Sequence, residues 1–143
     1  MDATDRSILK SLAHNARTPV KQLAQEAFLS SPAASSRVER LEKKGVIKGY
    51  QAMLDYEALG FHIMAFVNVA IAPERQPAFV EYVSGCPNVL ECHHITGLYS
   101  LILKVAFCTT RDLEAFVGYL QKYGKTETQV VFSTLVEPRQ IVE

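Results

Sequence analysis

The sequence predicts an α+β chain in two parts: three short helices in the first fifty residues, then a β-α-β-β-α-β run to the end. Three observations carry this. Apolar residues recur at helical spacing in three capped segments before residue 45. After residue 60, stretches rich in Val, Ile and Phe interleave with two helical patterns. The charge divides at the same place: residues 1–50 carry nine Lys/Arg against five Asp/Glu, a net of +4 in a 143-residue chain whose total is zero. The rest is therefore net acidic, and this asymmetry predicts a basic binding module joined to a more acidic partner.

Taken in order, Thr4 is placed to cap a first helix with Ile8, Leu9 and Leu12 on one side. Asn15 and Arg17 mark a break. Thr18-Pro19 opens a second helix, with proline at the first helical position, where its missing N–H costs nothing. Its apolar side is Val20, Leu23, Ala24 and Ala27. Phe28-Leu29 is a short joint. Ser30 or Ser31 caps a third helix, with Pro32 in its first turn and Gly45 as its stop. At about 100° per residue, Ala34, Val38 and Leu41 form its buried stripe. Ala33, Arg37, Arg40 and Lys44 share one flank with Ser36 and Lys43 beside them, while Glu39 and Glu42 lie on the other. Residues 46–51 read as a short strand or wing, and residues 51–60 as a linker.

The second part begins with an apolar strand, Phe61 to Ile71. A helix over Glu74 to Ser84 follows, with Phe79, Val80 and Val83 inward. Val89 to Thr96 and Tyr99 to Ala106 read as a hairpin around a two-residue Gly97-Leu98 turn. A helix over Thr110 to Tyr123 carries Leu113, Phe116, Val117 and Leu120 on one face, and the last strand runs from Thr126 to Val136. That order is the ferredoxin-like plan. The expected fold is therefore an N-terminal winged helix-turn-helix domain (residues 1–50) followed by a C-terminal ferredoxin-like βαββαβ domain (residues 61–143). Phe61, Ile63, Ala65, Val67, Val69 and Ile71 share one face of the first strand, and Met64, Phe66 and Ala70 the other. Only one face can cover its own helices, so the other predicts a partner subunit.

Two short helices, a tight joint and a capped third helix define a helix-turn-helix, whose second helix enters the DNA major groove by its N-terminal end. Ser31, Pro32, Ala33, Ser35 and Ser36 are small enough to let the backbone approach the bases. Arg37, Arg40, Lys43 and Lys44 then reach phosphates or guanine along the groove wall. The alternative, a solvated helix laced with Glu/Arg pairs, does not account for the one-sided basic edge. Double-stranded operator DNA is the expected partner.

The text TDRSIL (Thr4 to Leu9), QLAQEAFLS (Gln22 to Ser30) and RVERLEKKGVIKGY (Arg37 to Tyr50) resembles the Lrp/AsnC, or feast/famine, family of transcriptional regulators. So do VLECHHITG (Val89 to Gly97), LILKV (Leu101 to Val105) and TQVVFS (Thr128 to Ser133). The resemblance implies operator binding by the first domain. It implies dimers, and often octamers, through the second, and a small effector, usually an amino acid, in clefts between second domains. Matched residue by residue, the effector positions are Thr96, Gly97, Leu98, Tyr99 and Ser100 in the hairpin loop with Gln129, Val130 and Ser133 from the last strand. The chain departs from the family pattern twice. Phe28 stands where the joint usually has glycine, which predicts a turn of different shape. The loop that commonly reads Gly-Asp-x-Asp is here Gly97-Leu98-Tyr99-Ser100, with both carboxylates gone.

Other classes find little support. The three cysteines, Cys86, Cys92 and Cys108, are odd in number and lack CxxC spacing, which favours a reducing cytoplasm over a disulfide framework. The longest apolar run, about twelve residues with His62 and Asn68 inside it, is too short to span a membrane. Cys86, Cys92, His93 and His94 lack zinc-finger spacing, and alternation sends His93 to the face opposite Cys92 and His94, so neither a metal nor a cofactor is expected. No phosphate loop, nucleophile elbow or paired carboxylates suggest catalysis. The siroheme decarboxylases, similar in both domains, are the enzyme alternative, in which His93 and His94 would handle a tetrapyrrole. That reading leaves the basic edge of the third helix unused. A sensor that only oligomerises leaves residues 1–50 without a role.

Overall fold

Asp2, not Thr4, caps the first helix in the computed structural model, which describes residues 1–142. Helix α1 (Ala3–His14) opens with a reciprocal capping box. The Asp5 N–H donates to Asp2 Oδ1 at 2.8 Å, and the Asp2 N–H donates to Asp5 Oδ2 at 3.2 Å. Thr4 misses the cap because the Asp-x-x-Asp spacing satisfies two orphan amides at once. Helix α2 (Val20–Glu26) follows, with Pro19 at its N-cap. Val20, expected inward, is exposed at the first turn, whereas Leu23 and Ala24 are buried.

Helix α3 (Ser31–Lys43) is capped by Ser30, whose Oγ accepts from the Ala33 N–H at 3.4 Å. The ends of α2 and α3 close in the same way. Phe28 N–H bonds to Gln25 O (3.2 Å) and Leu29 N–H to Ala24 O (2.8 Å). Likewise, Gly45 N–H bonds to Glu42 O (2.9 Å) and Val46 N–H to Leu41 O (3.0 Å). Both are Schellman closures, which need a left-handed residue at the first position past the cap. Gly45 supplies it freely at φ +70°, while Phe28 supplies it at φ +54° against its Cβ. The expected change of turn shape at Phe28 is therefore corrected. Two backbone bonds hold it and Leu29 packs into the core beside it, while the Phe28 ring stands 96% exposed and meets no obstacle. Ile8, Leu23, Ala27 and Leu41 form that core, with Leu9, Leu12, Leu29, Val38 and Ile47 packed around them. Residues 46–51 form no strand, contrary to the expected wing strand, because the single chain offers them no ladder partner among the described residues.

By backbone contacts the chain forms two units, Met1–Leu54 with the chain end from Val136 onward, and Asp55–Leu135. Within the expected linker, Tyr56 to Phe61 close a turn through Phe61 N–H to Tyr56 O at 2.8 Å.

The second unit is built from β1 (Ile63–Ile71), a 3-10 turn (Pro73–Arg75), α4 (Gln76–Ser84), β2 (Val89–His94), β3 (Leu101–Phe107), α5 (Thr110–Leu120) and β4 (Gly124–Val130). The sheet is antiparallel throughout, in the order β2-β3-β1-β4. Ala65, Val67, Val69 and Ile71 of β1 and Leu101, Leu103, Val105 and Phe107 of β3 pack with Phe79 and Val83 of α4 and Leu113, Phe116 and Leu120 of α5. Val80, expected inward, is 45% exposed. The last strand starts and ends earlier than expected because α5 stops at Leu120. A Cβ on Gly124 would stand 1.8 Å from the Ala70 carbonyl, so only glycine lets β4 begin there.

The hairpin also differs. The Ile95 N–H bonds to Ser100 O (2.9 Å), which leaves four residues at the tip instead of two. Tyr99 and Ser100 are drawn out of β3 because Ser100 is tied to β1. Its N–H donates to Val69 O (3.1 Å), and its Oγ accepts from the Ile71 N–H (2.9 Å). On the face away from the helices, β1 and β3 present Met64, Phe66, Ala70 and Ile102 around Asn68. Asn68 is nearly buried and its Nδ2 donates to Gln129 Oε1 at 2.9 Å.

Candidate functional site

The small N-terminal turn of α3 stands open. Ser31, Pro32 and Ser36 are exposed, and Ala33 and Ser35 are half-buried. Lys43 and Lys44 are exposed at the other end. The two arginines behave differently. Arg37 Nη1 donates to Asp2 Oδ1 (2.9 Å), Asp2 Oδ2 (2.7 Å) and Asp5 Oδ1 (2.8 Å). Arg40 Nη2 donates to Asp5 Oδ1 (2.8 Å) and Oδ2 (3.1 Å). The reason is angular. Arg37 sits on the border of the buried stripe, so its side chain runs toward the start of α1 and is only 25% exposed.

Asp2 and Asp5 thus serve twice, capping α1 and clamping α3 to it. Burial pushes the Asp5 carboxyl up, but the Arg37 and Asp2 N–H bonds and the Arg40 charge outweigh it and hold it below its ordinary value. Asp2 is lowered chiefly by the Arg37 bond, and Arg37 is raised by both carboxylates. Arg37 and Arg40, expected to reach phosphates or guanine, are thus both ion-paired to the first turn of α1. Of the four cations expected at the groove, Lys43 and Lys44 have no carboxylate partner among the described residues. Behind α3, the Tyr50 hydroxyl donates to Glu42 Oε1 at 2.8 Å and holds the following segment to the helix. Burial and that carboxylate push the phenol up to about 12.

The expected effector residues are partly occupied. Thr96 and Leu98 are exposed at the hairpin tip, Leu98 by 81%, and Gly97 has φ +111°. The Ser100 hydroxyl is taken up by the β1 backbone. Gln129 accepts from Asn68 and donates to Glu127 Oε1 at 2.9 Å. Val130 ends β4 opposite Ala65, and Ser133 lies exposed beyond it. The nearby Glu127 carboxylate raises the Tyr99 phenol. Glu127 is thus a charge beside the loop that sequence reasoning missed, since no motif marks it and only strand pairing brings it there. Asp2 and Asp5 were missed as well, although their capping-box spacing is a readable signal.

Cys92 faces the core, where burial raises its thiol, and His93 lies on the other face at 3.1 Å from Glu91. No group of three His, Cys, Asp or Glu among the described residues is placed to hold a metal ion. No helix among the described residues is long and apolar enough to cross a membrane.

A helix-turn-helix with an open, small-residue recognition turn, followed by a ferredoxin-like sheet domain, defines a DNA-binding protein with a second, ligand- or partner-binding domain. The profile described as winged helix-turn-helix DNA-binding matches residues 1–48, and that described as Lrp/AsnC ligand binding domain matches residues 64–141. The chain belongs to the Lrp/AsnC family and is a DNA-binding transcriptional regulator of that type. It is 40% identical over 134 residues to the uncharacterized HTH-type transcriptional regulator YezC of Bacillus subtilis, covering 94% of this chain and 95% of that one. It is 40% identical to the proline dehydrogenase transcriptional activator of Rhodobacter capsulatus, covering 96% and 94%. In structure it is similar to the feast or famine regulatory protein Rv3291c of M. tuberculosis, solved in complex with L-methionine. That match has a TM-score of 0.90 at 31% identity and covers 99% of each chain.

Proposed function

We propose that the chain binds operator DNA as a cytoplasmic homodimer and regulates transcription without catalysing a reaction. Ser31, Pro32, Ala33, Ser35 and Ser36 lie against base edges, and Lys43 and Lys44 sit on phosphates. The observation that supports this best is the open N-terminal turn of α3 with two unpaired lysines at the helix's other end, on a helix clamped to α1 by Asp2 and Asp5. Arg37 and Arg40 hold the helix in place, and the outer edge of Arg40, 47% exposed, still borders the groove. The test is a gel-shift salt series on a duplex selected by the wild type. Lys43→Ala and Lys44→Ala should each weaken binding similarly on cognate and unrelated duplexes and lower the salt slope by about 1. Wild-type affinity and slope in both variants would refute the assignment.

For the second domain, Rv3291c with L-methionine supports an effector site at the hairpin loop and β4. In this chain that loop lacks its carboxylates, and Glu127 is already engaged by Gln129. An α-ammonium at the loop itself would shed water without the two loop carboxylates to meet it, leaving only the Glu127 carboxylate on the neighbouring strand. Ordinary α-amino acids should therefore bind weakly, and Leu98→Asp should raise their affinity. Calorimetric titration against the twenty amino acids decides it, and a low-micromolar Kd for the wild type would overturn it.

A further inference from the structure

We propose that Glu39 is a specificity-determining residue that reads the exocyclic amino group of a cytosine in the operator's major groove. The inference rests on α3 being the reading helix. Every other acid of the helical segment is engaged. Asp2 and Asp5 hold the arginines, Glu26 accepts from Ser11 and Gln22, and Glu42 accepts from Tyr50. Glu39 alone has no hydrogen bond or ion pair among the described residues. It is exposed, and Lys43, one turn further on, makes no ion pair with it, so it does not act as a helix-surface salt bridge.

Its direction matters. Opposite the buried Ala34, Val38 and Leu41, the outward face of α3 is centred on Pro32, Ser36 and Lys43, and Glu39 lies within about 50° of that centre. A free carboxylate facing a polyanion is repelled unless a donor meets it. On base edges, the carboxylate's matching donor is the cytosine N4 amino group. Glu39 stands about 4.5 Å along the helix from Ser36, close to the ~3.4 Å rise of one base pair, so the two address neighbouring pairs. A helix that enters by its N-terminal end and rises away from the groove floor needs small residues first and a longer side chain later. Ser31, Pro32, Ser35, Ser36 and then Glu39 follow that gradient.

The test is selection from randomised duplexes with the wild type, Glu39→Ala and Glu39→Gln, followed by competition binding. The wild type should select cytosine at one position per half-site. Changing that C·G pair to T·A should weaken it about 5- to 150-fold. Glu39→Ala should bind both duplexes equally, and should bind unrelated DNA more tightly. Glu39→Gln should shift the preference toward adenine, the base that a glutamine amide matches. Because Glu39 is exposed and unbonded, all three proteins should melt together. Identical base preference in the three proteins overturns the role of Glu39 and leaves α3 as the reading helix. A wild type that selects no sequence overturns that underlying assignment as well.

Discussion

Asp5→Ala should lower the melting midpoint of the helical unit and weaken binding to every DNA sequence alike. Three losses coincide. The capping box at the start of α1 opens, the acceptor shared by Arg37 and Arg40 disappears, and a nearly buried carboxylate is replaced by a methyl group. A lost cap alone costs about 1 kcal/mol. With the unpaired guanidinium groups the total should be about 1–3 kcal/mol, a large share of the stability of a small helical unit. Arg37→Ala should act in the same direction, since it releases α3 from α1. Lys43→Ala should instead weaken DNA binding with no change in melting. Thermal melts run beside gel shifts separate the two roles. An Asp5→Ala protein that melts like the wild type would show that the clamp contributes nothing.

The same clamp sets an acid limit. The carboxyls of Asp2 and Asp5 lie below their ordinary value near 3.9. Their contribution is therefore complete above about pH 4 and is lost as the pH falls through the lowered values. Part of the acid destabilisation of the helical unit should vanish in Asp5→Ala.

The clamp also marks where sequence reasoning stopped. Helical periodicity places Ala34, Val38 and Leu41 inward and the basic residues to one side, and the structure agrees with that division. Periodicity describes one helix at a time, however. It shows Arg37 at the edge of α3 but not that Asp2 and Asp5, more than thirty residues earlier, lie across from that edge. Counting charge in the first fifty residues has the same limit, because cations already neutralised inside the unit are summed with those free to meet DNA. Phe28 fails in the other direction. Intrinsic preference argues against a left-handed phenylalanine, yet two Schellman bonds and the packing of Leu29 override it. In the sheet domain, alternation along β1 is read directly from the sequence. The Gly97-Leu98 turn is not, because its shape depends on the bonds from Ser100 to a strand thirty residues away.

Phe66→Glu should convert the protein from dimer to monomer. Phe66 lies on β1 opposite Lys104 of β3 and Gln129 of β4, at the middle of the sheet face that neither helix shares. Around it Met64, Ala70 and Ile102 are half-buried apolar neighbours on the same face. The Asn68–Gln129–Glu127 chain and the Glu91–Lys104 pair (3.6 Å) flank it. With Lys104 and Gln129 directly beside Phe66 the face is mixed apolar and polar, and two copies meeting face to face would bury its apolar members symmetrically. The substituted side chain faces away from Ala65, Val67 and Val69, so the helix-covered core should survive and the circular dichroism spectrum should be unchanged. Light scattering at micromolar concentration should give a dimeric or larger mass for the wild type and a monomeric mass for Phe66→Glu. DNA binding should fall about 10²- to 10⁴-fold, because two recognition helices on one dimer hold both half-sites by avidity and a monomer engages only one. A monomeric wild type, or a variant that remains dimeric, would mean that the open face is covered in some other way and that α3 reads each half-site alone.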